Sequence, residues 1–199
     1  MRNFILAVNV FLCANLFGMV YLDEGFESGN FNTVTVTDSD GDGNSWQITT
    51  NPVNSGVFSA ESVSASLTPD NTIHFTSTWM ELYSFINFWI GGTDSGFSEH
   101  YEIYIADDNI DPANFILVYE ETIMSDQLKN VEVSLEPYFL QLNEWFWESN
   151  ISIKIRHYNI DANGAGSSLI LDDFRVIYYP TYSYDAYYFI VPPDVVEPY

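Results

Sequence analysis

The residues best suited to chemistry in this chain are carboxylates. In Asp38-Ser-Asp-Gly-Asp-Gly-Asn-Ser-Trp46, the acids Asp38, Asp40 and Asp42 alternate, and Gly41 and Gly43 permit a tight loop. Carboxylates at i, i+2 and i+4 on a curved loop can converge on one hard cation; Ca²⁺ takes six to eight oxygens at about 2.3–2.6 Å. Without a cation, like charges about 4 Å apart repel by roughly 1 kcal/mol in water, or about 4 at an effective dielectric of 20. The spacing opens like an EF-hand loop, but its twelfth position is Thr49 where a bidentate Glu is required, so it is not one. An ion-free Asp/Gly turn is the other reading. A second acid, Glu27, follows Phe26. A third cluster, Asp172-Asp173, lies inside the apolar run Leu169-Ile-Leu-Asp-Asp-Phe-Arg-Val176. One of these two must face the core side or a sheet edge, and burying a lone carboxylate is costly. Arg175 offers one partner, and a metal shared with Glu27 is the alternative.

Other chemistry is sparse. His74, His100 and His157 show no zinc spacing. His100, beside Glu99, is a candidate for ligand or metal contact, against a strand-edge histidine bonded to backbone. His157 reads as structural. Trp145-Phe-Trp147, flanked by Glu144 and Glu148, suits either a platform for sugar rings or core packing. There is no Gly-x-Ser-x-Gly elbow, phosphate loop, His-Glu-x-x-His or catalytic cysteine pattern. A glycoside hydrolase needs only two carboxylates facing one cleft, and that option stays open.

The elements that would position these residues are strands. Ile151-Ser-Ile-Lys-Ile-Arg156 alternates apolar and polar with period two, as do Val131–Leu135 and Tyr101–Ile105. Further runs are 34–37, 46–50, 57–67, 72–75, 82–90, 115–121 and 169–178, separated by Gly, Asn, Asp, Ser and Pro. About ten strands with no convincing long helix predict an all-β sandwich of two antiparallel sheets. A short helix is predicted over 141–149.

Composition agrees. Hydrophobic residues make up 47% and aromatics 17%, too apolar for a disordered chain. The net charge is −23 with five basic residues, which excludes nucleic-acid binding and attraction to an anionic membrane surface. Residues 1–18 carry Arg2 and then an apolar run from Phe4 to Phe17, the pattern of a secretory signal peptide too short to span a bilayer. This predicts secretion or surface display, with no membrane insertion after cleavage. Cys13, the one cysteine, lies inside this run, so no disulfide is expected in the mature chain. Residues 19–178 then form the domain, and 179–199 a Tyr/Pro-rich tail or linker.

Phe26-Glu27, the Asp38–Trp46 loop, Leu67–Asn71, Phe88-Trp-Ile90, Ser98-Glu-His-Tyr-Glu-Ile-Tyr-Ile-Ala106, Ile153–Tyr158 and Leu169–Phe174 occur in one order. That series resembles the gingipain-type cleaved adhesin domain, also grouped with choice-of-anchor J domains of bacterial secreted proteins. MAM domains share part of the order but normally carry cysteines. The resemblance spans roughly residues 21–178 and implies a jelly-roll (galactose-binding-like) sandwich with structural calcium. It implies Glu27, Asp38, Asp40, Asp42 and Asp172 or Asp173 as calcium ligands, with first and last strands side by side. It also implies adhesion to extracellular protein or glycan ligands, or an accessory role beside other domains of a secreted parent protein. The functional expectation is a non-catalytic, calcium-stabilised binding module. The alternatives are a carbohydrate-binding accessory module using Trp145 or Trp147, and a sandwich-fold glycoside hydrolase.

Overall fold

The computed structural model describes residues 18–63, 69–108, 113–138, 148–159 and 167–179. Among the described residues, eleven strands form: β1 (Met19–Glu24), β2 (Val34–Asp38), β3 (Trp46–Thr49), β4 (Ser59–Val63), β5 (Asp70–Glu81), β6 (Ser84–Gly92), β7 (Glu99–Asp107), β8 (Ile116–Ile123), β9 (Lys129–Ser134), β10 (Glu148–Tyr158) and β11 (Ser168–Tyr178). Every pairing is antiparallel. One sheet has the order β3-β4-β11-β6-β9, with β1 added to β11; the other runs β2-β5-β10-β7-β8. This is the two-sheet architecture that the alternation predicts. Of the predicted helix, Glu148 and Ser149 belong instead to β10, where they pair with Glu81 and Met80; residues 141–147 lie outside the described residues.

The core fills from the inward parity of each strand. β10 contributes Ile151, Ile153 and Ile155, and β7 contributes Tyr101, Ile103 and Ile105, all fully buried. Opposite them stand Ile86, Phe88 and Ile90 of β6 and Leu169, Leu171, Phe174 and Val176 of β11. Phe75 and Phe174 stack across the sheets at 4.1 Å between centroids, and Phe88 meets the edge of Tyr101 at 6.1 Å. Each buried aromatic or aliphatic side chain contributes about 1.5–3 kcal/mol. In β11 the inward set shifts from odd to even numbers between Leu171 and Phe174. The ladder with β6 breaks between Asp172 and Arg175, and Asp173 takes φ +48°, so the aspartate pair forms a bulge.

β11 also has a divided flank. β4 pairs with its residues Ser168–Leu171, and β1 pairs along the same side from Phe174 to Tyr178. The handover from one flanking strand to the other falls at Asp172-Asp173. The chain leaving β1 and the loop entering β4 therefore meet at that bulge.

Candidate functional site

At the handover, three carboxylates hold one loop. Asp172 is fully buried and accepts the backbone N–H groups of Asn54 (2.7 Å), Ser55 (3.2 Å) and Asp173 (2.8 Å). Asp173 accepts from the Asn54 Nδ2 (2.7 Å) and Ser55 Oγ (2.9 Å). Glu27 accepts the N–H groups of Val57 (3.0 Å) and Phe58 (3.1 Å) from the same loop. Gly56 sits at φ +67° under the Glu27 carboxylate, where any Cβ would be strained and would push that carboxylate off its loop donors. Phe26 also lies in the left-handed region at φ +60°. Two non-glycine residues, Phe26 and Asp173, thus store about 1–3 kcal/mol of strain each at this one place.

The electrostatics there are unbalanced. Burial pushes the Asp172 carboxyl above its ordinary value; three backbone donors oppose that, and the Asp173 charge adds to the rise. The nearest cation is Arg175, 3.4 Å from Asp173, and it is held more closely by Asp23 at 2.9 Å. Carboxylate oxygens with a deficit of positive charge are the donor chemistry of a hard cation such as Ca²⁺.

The alternating aspartates form a second carboxylate cluster. Among the described residues, two sets of three side chains bring ligand atoms within 4.8 Å of one another: Asp38, Asp40 and Asp42, and separately His100, Glu102 and Glu120. Glu27, Asp172 and Asp173 share a loop without forming such a set. Asp38 accepts the N–H groups of Gly41 (2.7 Å) and Gly43 (2.9 Å), and Asp42 that of Asn44 (2.7 Å). The Gly43 donor leads in holding the Asp38 carboxyl below its ordinary value. Carboxylate oxygens are the donors that an oxygen-seeking cation takes, so the chemistry of this set fits one.

Between the sheets lies a polar network that residue-by-residue sequence reasoning missed. His157 Nε2 is 2.6 Å from Glu99 Oε2, and its Nδ1 is 2.8 Å from Ser62 Oγ. Asn159 donates to Glu99 (2.6 Å) and Asn71 to Ser62 (3.1 Å). Ser62, Glu99 and His157 are all fully buried. The order hydroxyl–imidazole–carboxylate mimics a hydrolytic triad, yet no substrate carbonyl can approach Ser62. The network joins β4 of one sheet to β7 and β10 of the other. A signal for it existed: Glu99 shares the inward parity of Tyr101 and Ile103, and His157 that of Ile153 and Ile155.

The outer face of the five-stranded sheet carries a different pattern. Arg156 forms a bidentate pair with Asp70 (2.7 Å on both arms), reaches Glu102 at 3.1 Å, and stacks 4.0 Å over the Tyr158 ring. Asp70 leads in raising the Arg156 guanidinium above its ordinary value. Lys154 lies 3.9 Å over Phe115, whose ring also meets the edge of His74. Tyr104 donates to Glu102 at 2.8 Å. His100, on the same face, places Nδ1 at 3.0 Å from Thr122 Oγ1, a side-chain partner in place of the expected backbone one. Trp145 and Trp147 lie outside the described residues.

Comparison with known proteins is consistent with this geometry. The model of the Cleaved Adhesin Domain family matches residues 19–176. No curated protein matches the chain. The K3 cleaved adhesin domain of Lys-gingipain from Porphyromonas gingivalis superposes with TM-score 0.62 at 22% identity, covering 81% of this chain and 99% of that one. The K1 domain of the same protein gives 0.60 at 23%, over 78% and 96%. TmCBM61, solved with β-1,4-galactotriose, gives 0.56 at 17%, over 80% and 99%. At these identities the solved structures speak for a shared jelly-roll fold, and the family match covers most of the sequence. The chain belongs to the Cleaved Adhesin Domain family.

Proposed function

We propose that the protein is a secreted or surface-displayed, non-catalytic binding module, stabilised by calcium, whose ligand is a neutral glycan or an extracellular protein. Family membership supports binding over catalysis. The observation that carries the ligand class is the outer face of the five-stranded sheet. There the Arg156–Tyr158 stack and the Lys154–Phe115 stack hold polar groups against ring faces in fixed positions. Sugars are bound by that combination of planar apolar surface and oriented hydrogen-bond groups. Among the described residues, Lys129, Arg156 and Arg175 each face a carboxylate and Lys154 covers a ring. With a net charge of −23, no positive patch is left for a sulfated or sialylated chain.

The test is a panel of neutral and anionic oligosaccharides titrated into wild type, Tyr158→Ala and Tyr104→Phe. Retention of neutral glycans alone, weakened about tenfold or more in Tyr158→Ala, is the expected result. Binding confined to anionic glycans, or unchanged in both variants, contradicts the assignment of this face.

Calcium would be held by Glu27, Asp172 and Asp173 at the β11 bulge and by Asp38, Asp40 and Asp42 at the β2–β3 loop. It would supply positive charge to carboxylates that the chain leaves uncompensated, tying the ends of β1, β4 and β11 together. A role as carbohydrate-binding accessory module in a larger secreted enzyme is the second reading, and the Trp145–Trp147 pair would serve it. Glycoside hydrolysis would need a free acid pair. On this face Asp70 and Glu102 are both tied to Arg156. Release of reducing sugar from a polysaccharide would revive that alternative.

A further inference from the structure

We propose that His100, Glu102 and Glu120 form a site for a divalent transition metal of the zinc class, separate from the calcium centres, on the outer face of the five-stranded sheet. His100 and Glu102 stand two residues apart on β7 and so share a face. Glu120 on β8 is directly opposite Glu102, and Thr122 is opposite His100. Like charges placed directly opposite on neighbouring strands repel, so this arrangement calls for a positive partner between them. Arg156 takes Glu102 Oε2 (3.1 Å), as does the Tyr104 hydroxyl (2.8 Å). Arg156 is itself neutralised by its bidentate pair with Asp70. That leaves Glu102 Oε1 turned towards His100, and Glu120 with no arginine or lysine among the described residues.

The histidine is set up as a ligand. Its Nδ1 lies 3.0 Å from Thr122 Oγ1. A proton on Nδ1 donated to that hydroxyl leaves the Nε2 lone pair facing the two glutamates. The outer-shell partner of a metal-bound imidazole works in this way, fixing tautomer and ring orientation. Nε2 is 3.9 Å from Glu102 Oε1 and 3.8 Å from Glu120 Oε2. Both gaps are too long for a hydrogen bond. Zn–N of about 2.0–2.1 Å and Zn–O of about 2.0–2.2 Å at a tetrahedral angle set an N···O separation of about 3.3–3.5 Å, so a zinc ion can bridge these groups after an inward closure of about half an ångström. One imidazole with two carboxylates suits zinc and its neighbours better than calcium, which takes oxygen ligands. The His100 and Glu102 side chains are 17% and 14% exposed while Glu120 is 60% exposed, so the site has a solvent-facing side where a water or a ligand group completes the coordination.

The experiment titrates zinc into the chelator-stripped full chain in the presence of excess calcium, following heat of binding and the side-chain ¹⁵N signals of the three histidines. Wild type should take up zinc with displacement of the His100 Nε2 signal alone. Thr122→Val, which removes only the orienting hydroxyl, should weaken uptake by about 10–100-fold. His100→Ala and Glu120→Gln should abolish the calcium-resistant uptake, and Asp40→Asn should leave it intact. Zinc uptake equal in wild type and His100→Ala, loss of uptake in Asp40→Asn, or no uptake in excess calcium would each overturn the proposal. Glu120 is exposed enough that Glu120→Gln keeps the fold, which a thermal melt verifies.

Discussion

Replacing His157 by Leu should destabilise the protein by about 3–5 kcal/mol, because it leaves two buried polar side chains, Glu99 and Ser62, each short of a hydrogen-bond partner at about 1–3 kcal/mol apiece. The imidazole bridges Ser62 and Glu99 where all three are fully buried. Among the described residues, Glu99 Oε1 already has no hydrogen-bond partner, so the carboxyl group has little to fall back on beyond Asn159. For a chain of this length the loss corresponds to a fall of roughly 6–20 °C in Tm. A denaturation midpoint in urea for wild type, His157→Leu, Glu99→Leu and the double variant closes a thermodynamic cycle. The double variant should be clearly more stable than the sum of the two single losses, because it removes both polar partners at once. Additive losses would mean that the two side chains do not act as a pair.

Asp172→Ala carries the second large effect, an expected loss of about 3–5 kcal/mol in the presence of calcium. The carboxylate satisfies three backbone donors, that of Asp173 buried and those of Asn54 and Ser55 part-buried; a buried donor left without a partner costs about 1–3 kcal/mol, and the fully buried carboxylate is also the anchor of the loop. The loop 54–58 would lose its main anchor on β11. The same residue sets a pH dependence when calcium is chelated. Its carboxyl is raised in the folded chain, so the native state binds the proton more tightly than the unfolded state does. Stability in chelator should therefore fall as pH rises from the ordinary carboxylate range towards the raised value. Calcium competes with that proton and should flatten or reverse the slope. Chemical denaturation across this pH range, with and without calcium, reads both signs. In Asp172→Ala the calcium-sensitive part of the slope should shrink.

Much of this fold is legible in the alternation of single strands. Ile151, Ile153 and Ile155, or Val131 and Val133, declare their inward faces without any partner in view. β11 is harder because its alternation slips at Asp172-Asp173. Local pattern reads that slip as two acids in an apolar run, whereas the sheet reads it as the point where β4 ends and β1 begins. β1 itself was hidden: Met19–Glu24 continues the apolar N-terminal stretch, and its strand character comes from the free flank of β11. The expected meeting of Glu27 with the aspartate pair occurs through the loop 54–58. Asn54-Ser55-Gly56 looks like any turn, and nothing local says that three carboxylates hold it. Glu99 and His157 are 58 residues apart, so only their shared inward parity hints at a contact. The Asp38–Asp42 loop was legible because its chemistry and its geometry are both local.

The most direct test of a calcium-stabilised binding domain is the thermal melt of the protein in calcium and in EGTA. Calcium at about a hundred times its dissociation constant stabilises by roughly 2.7 kcal/mol per site, about 5–11 °C in Tm at this chain length. Chelation should lower Tm by at least that amount, readdition should restore it, and Asp172→Ala or Asp40→Asn should diminish the response. A melt that is the same in calcium and in EGTA would contradict the account, leaving the carboxylates as hydrogen-bond anchors of their loops and nothing more.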